Sequence, residues 1–151
     1  MKLLCDQMLG TLAKWLRIYG FDTFYSNNLT DDSQLFDISK KENRILITRD
    51  KELICAARRE NIRTIEISTT DIDEQIITVL SNVKPDKTKF LSRCLVCNSE
   101  IGEVKKDSVE SKVPDRVFDN NEKFWYCKKC DKIYWKGTHY ENMFEKIDSL
   151  S

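Results

Sequence analysis

The sequence predicts an α/β fold in which a parallel sheet is flanked by helices and followed by a smaller cysteine-rich module. Over residues 1 to 83, short apolar runs alternate four times with segments of helical periodicity. Parallel neighbouring strands need such crossover connections, and these are right-handed in nearly all proteins. Residues 90 to 151 instead contain two Cys-x-x-Cys pairs and are expected to end in a C-terminal helix. The polar, proline-containing stretch 84 to 89 is the predicted linker.

The first strand and helix open the chain. Lys2–Cys5 is a brief apolar run that stops at Asp6. Residues 8 to 19 then carry a broad apolar face at helical spacing, and Gly20 stands where a helix is expected to end. The first strand therefore delivers an aspartate to the start of a helix.

The second strand and helix follow directly. Phe21–Ser26 is rich in aromatic residues with a partial period of two, which indicates a strand. After a short loop, Asp31 or Asp32 is placed to cap a helix that runs to about Asn43. This unit also places carboxylates between its strand and its helix.

The third and fourth units complete the first part. Ile45–Ile47 reads as a strand buried on both faces, and it leads to Asp50 at the start of a helix over residues 51 to 61. A fourth strand at 63 to 68 and a helix at 71 to 83 follow. Four strand-to-helix connections of one kind favour a parallel sheet in which the aspartates that follow the strands all lie at one edge.

That shared edge predicts an acidic site. In a parallel sheet the strand-to-helix loops all lie at the carboxyl edge, so Asp6 and Asp50 face each other if strands one and three are neighbours. Grouped carboxylates can hold Mg²⁺ or Mn²⁺, activate water and stabilise a phosphodiester transition state. The alternative is that each residue is an ordinary helix cap. The favoured trio is Asp6, Asp32 and Asp50, and the further acidic candidates are Glu52, Asp31 and Asp71.

Basic residues near the same edge have two interpretations. Lys14 and Arg17 share the narrow polar stripe of the first helix, and Arg49 precedes Asp50. They could form a solvated face that partly neutralises the carboxylates, or they could contact the phosphates of a nucleic acid. All three are kept as candidate nucleic-acid contacts.

The cysteine pairs predict a structural zinc site. Cys94 and Cys97 are separated from Cys127 and Cys130 by 29 residues. Each pair forms a tight turn with two thiolates on one side, and two such turns complete a four-sulfur tetrahedron that leaves no open position for catalysis. Disulfides or a redox pair are the alternatives, although a redox pair needs no second matching pair.

Basic and aromatic residues alternate around the cysteine pairs. Arg93 and Lys136 are candidate RNA contacts, since cations interleaved with aromatic rings suit phosphates and stacked bases. The favoured alternative is that the rings form the small core of the module. His139, the only histidine, is expected to be structural because four cysteines already satisfy zinc. Cys5 and Cys55 are expected to be small buried residues.

Composition sets limits on the class of protein. The 25 basic and 25 acidic side chains cancel, but residues 1 to 83 carry 11 basic and 13 acidic residues, whereas residues 84 to 140 carry 13 and nine. The second part is therefore the likelier to face a polyanion. No apolar run reaches the ~18 residues of a membrane span and no signal-peptide pattern opens the chain, so a cytoplasmic protein is expected.

Five sequence blocks in a fixed order match a known family. They are CDQMLG at 5–10, LAKWLR at 12–17, RILITRD at 44–50, RCxxC at 93–97, and CxxC followed by YWxGxH at 127–139. Over nearly its whole length the chain thereby resembles the mut-seven C-terminal RNase family, a PIN-like nuclease domain with an attached zinc ribbon. The resemblance implies metal-dependent cleavage of RNA, with Asp6, Asp32 and Asp50 as the acidic residues. Glu52 stands where related PIN-like domains often have an aspartate.

Two other functions remain open from the sequence. One is a non-catalytic module that binds RNA or protein through the ribbon, with a degenerate acidic edge. The other is a phospho-acceptor receiver domain, because Asp50 ends strand three and Thr69 and Thr70 follow strand four. A receiver also needs an acidic pair after strand one and a lysine after a fifth strand, and neither is evident.

Overall fold

The computed structural model describes residues 1–27, 31–136 and 145, and the chain divides into two compact units, Met1–Asn98 and Ser99–Ser151. The stretch 84 to 89 and the first cysteine pair fall within the first unit by this division. His139 and the C-terminal helix expected in the cysteine-rich part lie outside the described residues.

The first unit is the predicted α/β fold, a four-stranded parallel sheet flanked by helices. The strand order is β2-β1-β3-β4 and every pairing is parallel. Strands one and three are therefore neighbours, as the predicted acidic site requires. The elements are β1 (Lys2–Cys5), α1 (Gly10–Ile18), β2 (Asp22–Tyr25), α2 (Asp32–Glu42), β3 (Arg44–Thr48), α3 (Lys51–Arg59), β4 (Thr64–Glu66) and α4 (Ile72–Asn82).

The two central strands form the middle of the core. All five residues of β3 are buried, as are Leu3, Leu4 and Cys5 of β1. Leu4 and Leu46 are register partners and pack in one cluster with residues of α2 and α3. Burial on both faces explains why these strands read as continuous apolar runs rather than alternating ones.

The first helix begins later than its apolar pattern predicts. The Asp6 carboxylate accepts a hydrogen bond from the Met8 amide, two residues on, and Gln7–Leu9 forms a single 3-10 turn before α1 starts at Gly10. The helix ends as predicted, because Gly20 takes a left-handed conformation with a φ of 88°. The periodicity of apolar residues assigns this first turn to the α-helix. The cap by Asp6 makes it a tighter 3-10 turn instead.

The chain returns to this helix end after α4. The Leu91 amide donates to the Ile18 carbonyl at 2.9 Å, and the Leu91 side chain is buried. Leu91 has a φ of 60°, which is unusual for a residue with a branched side chain. A Cβ at Gly20 would lie 2.4 Å from the Lys89 carbonyl oxygen, so only glycine permits this approach.

The second unit is built on an antiparallel sheet. Its strands β5 (Gly102–Val104), β6 (Phe124–Cys127) and β7 (Lys132–Trp135) lie in that order, and the short helix α5 spans Asp115–Asn120. Phe124 is fully buried with Val109 and Val113, and Trp135 packs against them. At least these two rings serve the core, which is one of the two roles expected for the aromatic residues.

The two cysteines outside the pairs differ from each other. Cys5 in β1 is completely buried, as expected, and burial raises the pKa of its thiol. The expectation was wrong for Cys55, which is exposed on α3. The buried side of that helix carries Leu53, Ile54 and Ala57, and Cys55 lies on the other side.

Candidate metal centre and acidic cleft

The four paired cysteines come together as predicted. Their sulfur atoms all lie within 4.8 Å of one another, and all are free thiols. Sulfurs bound to tetrahedral zinc at ~2.3 Å would stand about 3.8 Å apart, so the cluster fits such an ion with little adjustment. Within 1–27, 31–136 and 145, it is the one group of three or more Cys, His, Asp or Glu side chains able to share a metal.

Both cysteine turns use the same backbone device. The residue four positions after the first cysteine of each pair is left-handed, with a φ of 69° at Asn98 and 52° at Asp131. In the first turn, the Asn98 amide donates to the Cys94 carbonyl at 3.0 Å. Asn and Asp tolerate this conformation better than other side chains. In the sequence, an Asn or Asp follows the second cysteine of each pair, and this residue type indicates the left-handed position. The sequence interpretation considered only the spacing of the cysteines and missed this signal.

Arg17 is not the surface residue that the sequence interpretation assumed. Its side chain is only 7% exposed. Nε donates to the Thr23 carbonyl at 3.0 Å, and Nη1 donates to the Leu95 and Val96 carbonyls at 2.7 and 3.2 Å. Burial lowers the pKa of Arg17 from its ordinary value. These contacts remove Arg17 from the RNA contacts and assign it to the first cysteine turn.

The same turn is tied to β2 by Asn98. Its Oδ1 accepts from the Thr23 amide at 3.0 Å, and its Nδ2 donates to Asp22 Oδ1 at 2.7 Å. Arg93 is half-buried, donates to the Asn98 carbonyl and lies 3.9 Å from Asp22. Arg93 therefore serves this turn as well, which weakens its case as an RNA contact.

Asp22 is the acidic centre of that contact. Burial opposes its ionisation, but hydrogen bonds from Asn98 and Arg44, with the charges of Arg44 and Arg93, hold the pKa of its carboxyl below the usual value. Arg44 Nη1 donates to Asp22 Oδ1 at 2.9 Å. The carboxylate thus links the start of β3 to the first cysteine turn.

A separate cleft of about 130 Å³ lies at the carboxyl edge of the sheet. Asp6, Asp31, Asp32 and Asp50 line it, so three successive strand-to-helix connections deliver carboxylates to one place. The remaining lining residues are Gln7, Met8, Ser26, Leu35 and Leu53. Glu52 and Asp71 do not line the cleft, although Asp71 caps α4 after β4.

Asp6 is the most tightly held of these carboxylates. It is 7% exposed, and its Oδ1 accepts from the Met8 amide at 2.9 Å. Its Oδ2 accepts a short hydrogen bond from the hydroxyl of Thr48, which in turn accepts from the Asp50 amide at 3.1 Å. One fully buried threonine thereby links two aspartates of the cleft. Sequence interpretation missed Thr48, whose signal is a polar residue at the end of an otherwise apolar strand.

The other carboxylates of the cleft stand at helix starts. Asp50 caps α3, with Oδ1 accepting from the Glu52 and Leu53 amides. Asp31 caps α2, and its hydrogen bonds from Ser33 and Gln34 lower the pKa of its carboxyl. Asp32 is the first residue of α2 and is exposed. Helix amino ends carry partial positive charge, which offsets part of the repulsion among these carboxylates.

The opposite edge of the sheet has a larger cavity of about 690 Å³. Arg44, Lys2, Lys40 and Arg63 line it, and Glu42 is the one carboxylate there. It lacks any grouping of acidic side chains. The larger cavity therefore lies at one edge of the sheet and the grouped carboxylates at the other. Grouped titratable side chains indicate a reaction site better than volume does, so the smaller cleft is the candidate active site.

The remaining basic candidates occupy three different settings. Lys14 is exposed on α1. Arg49 is half-buried with an Nε that has no hydrogen-bond partner in the described part of the chain. Lys136 is exposed, with its Nζ 5.8 Å from the centre of the Trp125 ring. Each remains a candidate RNA contact.

In the described residues no helix is long and apolar enough to cross a membrane.

Comparison with known proteins identifies the family of the chain. The curated proteins gave no significant match. A family model described as the Mut7-C RNAse domain matches residues 1–147 of the 151, which covers both the acidic cleft and the four cysteines. The chain therefore belongs to the Mut7-C RNAse domain family.

Proposed function

We propose that the protein is a cytoplasmic, metal-dependent ribonuclease that hydrolyses RNA phosphodiester bonds at the acidic cleft. Family membership supports a nuclease-type role. The observation that carries the proposal is the convergence of Asp6, Asp32 and Asp50 on one cleft at the switch point of a parallel sheet. Open α/β sheets bind their ligands at this position because loops from both sides meet there.

The three carboxylates have complementary roles in this proposal. As placed, these carboxylates do not form a group able to share a metal, so Mg²⁺ or Mn²⁺ would have to draw Asp32 and Asp50 toward Asp6. A metal held there would activate a water and neutralise charge on the phosphate. Asp6 is fixed by Thr48 and the Met8 amide, so its position does not depend on a ligand. Asp50 uses Oδ1 for the helix cap, and Asp32, exposed in the lining of the same cleft, would be the third ligand. Asp31 lines the same cleft and is the alternative to Asp32 for this position.

The four-cysteine site serves RNA binding rather than the reaction. Four thiolates close the coordination sphere of zinc, so the metal there has a structural role. Lys136 beside Trp125 offers a cation and a ring to a phosphate and a base. Lys14 and Arg49 are the candidate contacts in the first unit. RNA is the proposed partner.

Asp50→Asn is the direct test. Asparagine is also a good helix cap, so the variant retains the start of α3 while losing the charge. With Mn²⁺ and a labelled RNA, we expect cleavage to fall roughly 100-fold or more, as when one transition-state contact is removed. Asp37→Asn, an exposed change on α2 outside the cleft, is the matched control and should retain wild-type rates. Wild-type inactivity, or an Asp50→Asn variant that cleaves normally, contradicts the proposal.

A non-catalytic RNA- or protein-binding module is the second candidate. It is favoured by the fact that Asp6, Asp31 and Asp50 each accept hydrogen bonds from helix-start amides, which is a sufficient structural role for a carboxylate. This function predicts that the protein binds RNA without Mg²⁺ or Mn²⁺ and does not cleave it. Binding should be lost when Lys136 and the nearby Lys128, Lys129 and Lys132 are replaced. A filter-binding assay run beside the cleavage assay separates the two functions.

A further inference from the structure

Arg17 places a buried positive charge against the first cysteine turn. A charged group removed from water needs hydrogen-bond partners, and Arg17 has three backbone carbonyls. Two of them belong to Leu95 and Val96, the only residues between Cys94 and Cys97. The third belongs to Thr23 in β2. One planar guanidinium therefore joins the turn that carries two metal ligands to the edge strand of the sheet.

The carbonyls that Arg17 binds control the geometry of the metal ligands. The orientation of the Leu95 and Val96 peptide groups determines whether the two sulfurs point to a common centre. The positive charge also acts on the sulfurs, because four thiolates around Zn²⁺ leave a net charge of about −2. Outer groups of this kind orient the ligands of a metal and stabilise their charged form.

We propose that Arg17 is a positioning residue of the four-cysteine metal centre and that it couples metal binding to the β2 edge of the nuclease-type sheet. Asn98 is the second part of the connection, since its side chain binds the Thr23 amide and the Asp22 carboxylate of β2. β2 in turn pairs with β1 up to Cys5, and Ser26 donates to the Cys5 carbonyl next to Asp6. Metal binding that orders the turn therefore also steadies the strand beside the acidic cleft.

The coupling is reciprocal. If a metal at the cysteines stabilises the contact between the turn and β2, then loss of that contact weakens metal binding by the same factor. The inference depends on metal binding at the cysteines and not on RNA cleavage. Failure of the ribonuclease proposal would leave it standing, and its own failure would leave the cleavage assay unaffected.

Zinc affinity tests the positioning role. We expect Arg17→Met to lower the affinity roughly 10- to 100-fold in competition with a chromogenic chelator, the range for loss of an outer-shell partner. Arg17→Lys should recover little of this loss, because one ammonium cannot reproduce the planar fork that reaches both β2 and the turn. Lys14→Met, on the exposed side of the same helix, should retain the wild-type affinity.

A core variant separates positioning from general stability. Val79 is fully buried in α4, and Val79→Ala should lower the free energy of unfolding without changing zinc affinity more than about twofold. If Val79→Ala weakens zinc binding as much as Arg17→Met does, or if Arg17→Met binds zinc normally, Arg17 has no positioning role.

Hydrogen exchange of the wild-type chain tests the coupling without a substitution. Zinc loading should slow amide exchange in β2 several-fold, and β4 at the far edge of the same sheet should change little. Asn98→Gly keeps the left-handed backbone but removes both side-chain bonds to β2, so it should reduce the effect of zinc on β2. If zinc does not slow amide exchange in β2, or slows it no more than in β4, the coupling is wrong. This test uses the wild-type chain, so it holds even if Arg17→Met does not fold.

Discussion

A single hydroxyl holds two aspartates of the acidic cleft. Thr48 is completely buried, donates to Asp6 and accepts from the Asp50 amide. A carboxylate that is 7% exposed would be costly without such a donor. Thr48 therefore sets the spacing between the ends of β1 and β3, the two strands that supply these carboxylates.

Replacing this hydroxyl should damage both stability and the proposed reaction. Thr48→Val keeps the shape of the side chain but leaves the Asp6 carboxylate short of one donor. We expect the free energy of unfolding in urea to fall by about 1–3 kcal/mol. We also expect Mn²⁺-dependent cleavage to fall roughly 10-fold or more, as for other groups that orient a metal ligand. Thr48→Ser keeps the hydroxyl and should retain most activity, and equal losses in both variants would contradict this role.

Asp22 should make the first unit sensitive to acid. Its folded pKa lies below the unfolded value of about 3.9, because its hydrogen bonds and neighbouring arginines outweigh burial. Its ionised form therefore contributes stability above that value, and the contribution is lost as the pH falls through the folded pKa. We expect Asp22→Asn to unfold with a shallower dependence on pH below about pH 4. Superimposable profiles of wild type and variant in urea titrations would refute this.

Sequence predicted some residue roles and missed others for a physical reason. Asp31 and Asp50 were readable as caps because the cap is a local interaction within three residues. Arg17 was misread, because its partners Leu95 and Val96 lie 78 and 79 residues away. Helical spacing shows which side of a helix is polar, but it does not show what covers that side.

At the scale of elements, the end of α1 is a tight junction. Gly20→Ala forces a left-handed alanine, which costs about 1–2 kcal/mol, and brings its Cβ against the Lys89 carbonyl. We expect the free energy of unfolding to fall by at least that amount in urea denaturation followed by circular dichroism. Gly102→Ala meets nothing within 4 Å and should stay within about 0.5 kcal/mol of wild type. Similar values for the two variants would contradict the steric argument.

The elements themselves were largely predictable from the sequence. The central strands β1 and β3 contain continuous apolar runs because both of their faces are covered, and that pattern is local. The differences arise where a side chain competes with periodicity, as Asp6 does at the start of α1. On α3, Cys55 was misassigned because free cysteine is usually buried, whereas the buried side of this helix is the one that carries Leu53, Ile54 and Ala57.

At the scale of the whole molecule, residues after the predicted domain end contribute to the first unit. A chain that stops at 83 lacks the buried Leu91 and removes two carbonyl partners of Arg17. Burying one leucine contributes about 1.5–3 kcal/mol. In reductant and chelator, a 1–98 fragment should therefore unfold at a clearly higher urea concentration than a 1–83 fragment. Coincident unfolding curves would instead support a boundary at 83.

The fold class was predictable because alternation of strands and helices leaves few topologies. The domain boundary is harder to read. Polar composition and Pro85 mark 84 to 89 as a linker, yet the backbone bond from Leu91 to Ile18 leaves no trace in composition. A single backbone hydrogen bond between residues far apart in the sequence cannot be predicted from side-chain composition.

The central position of β1 also determines the order in which the protein can assemble during synthesis. β1 leaves the ribosome before the other strands of its sheet, and its neighbours end only at Tyr25 on one side and Thr48 on the other. Until then its apolar residues and one open edge are exposed to other nascent chains. The acidic cleft needs residues from Asp6 to Leu53, so it can be completed only after β3, which covers this edge, has been made. Between the synthesis of Tyr25 and that of Thr48, β1 can therefore be paired on one side only.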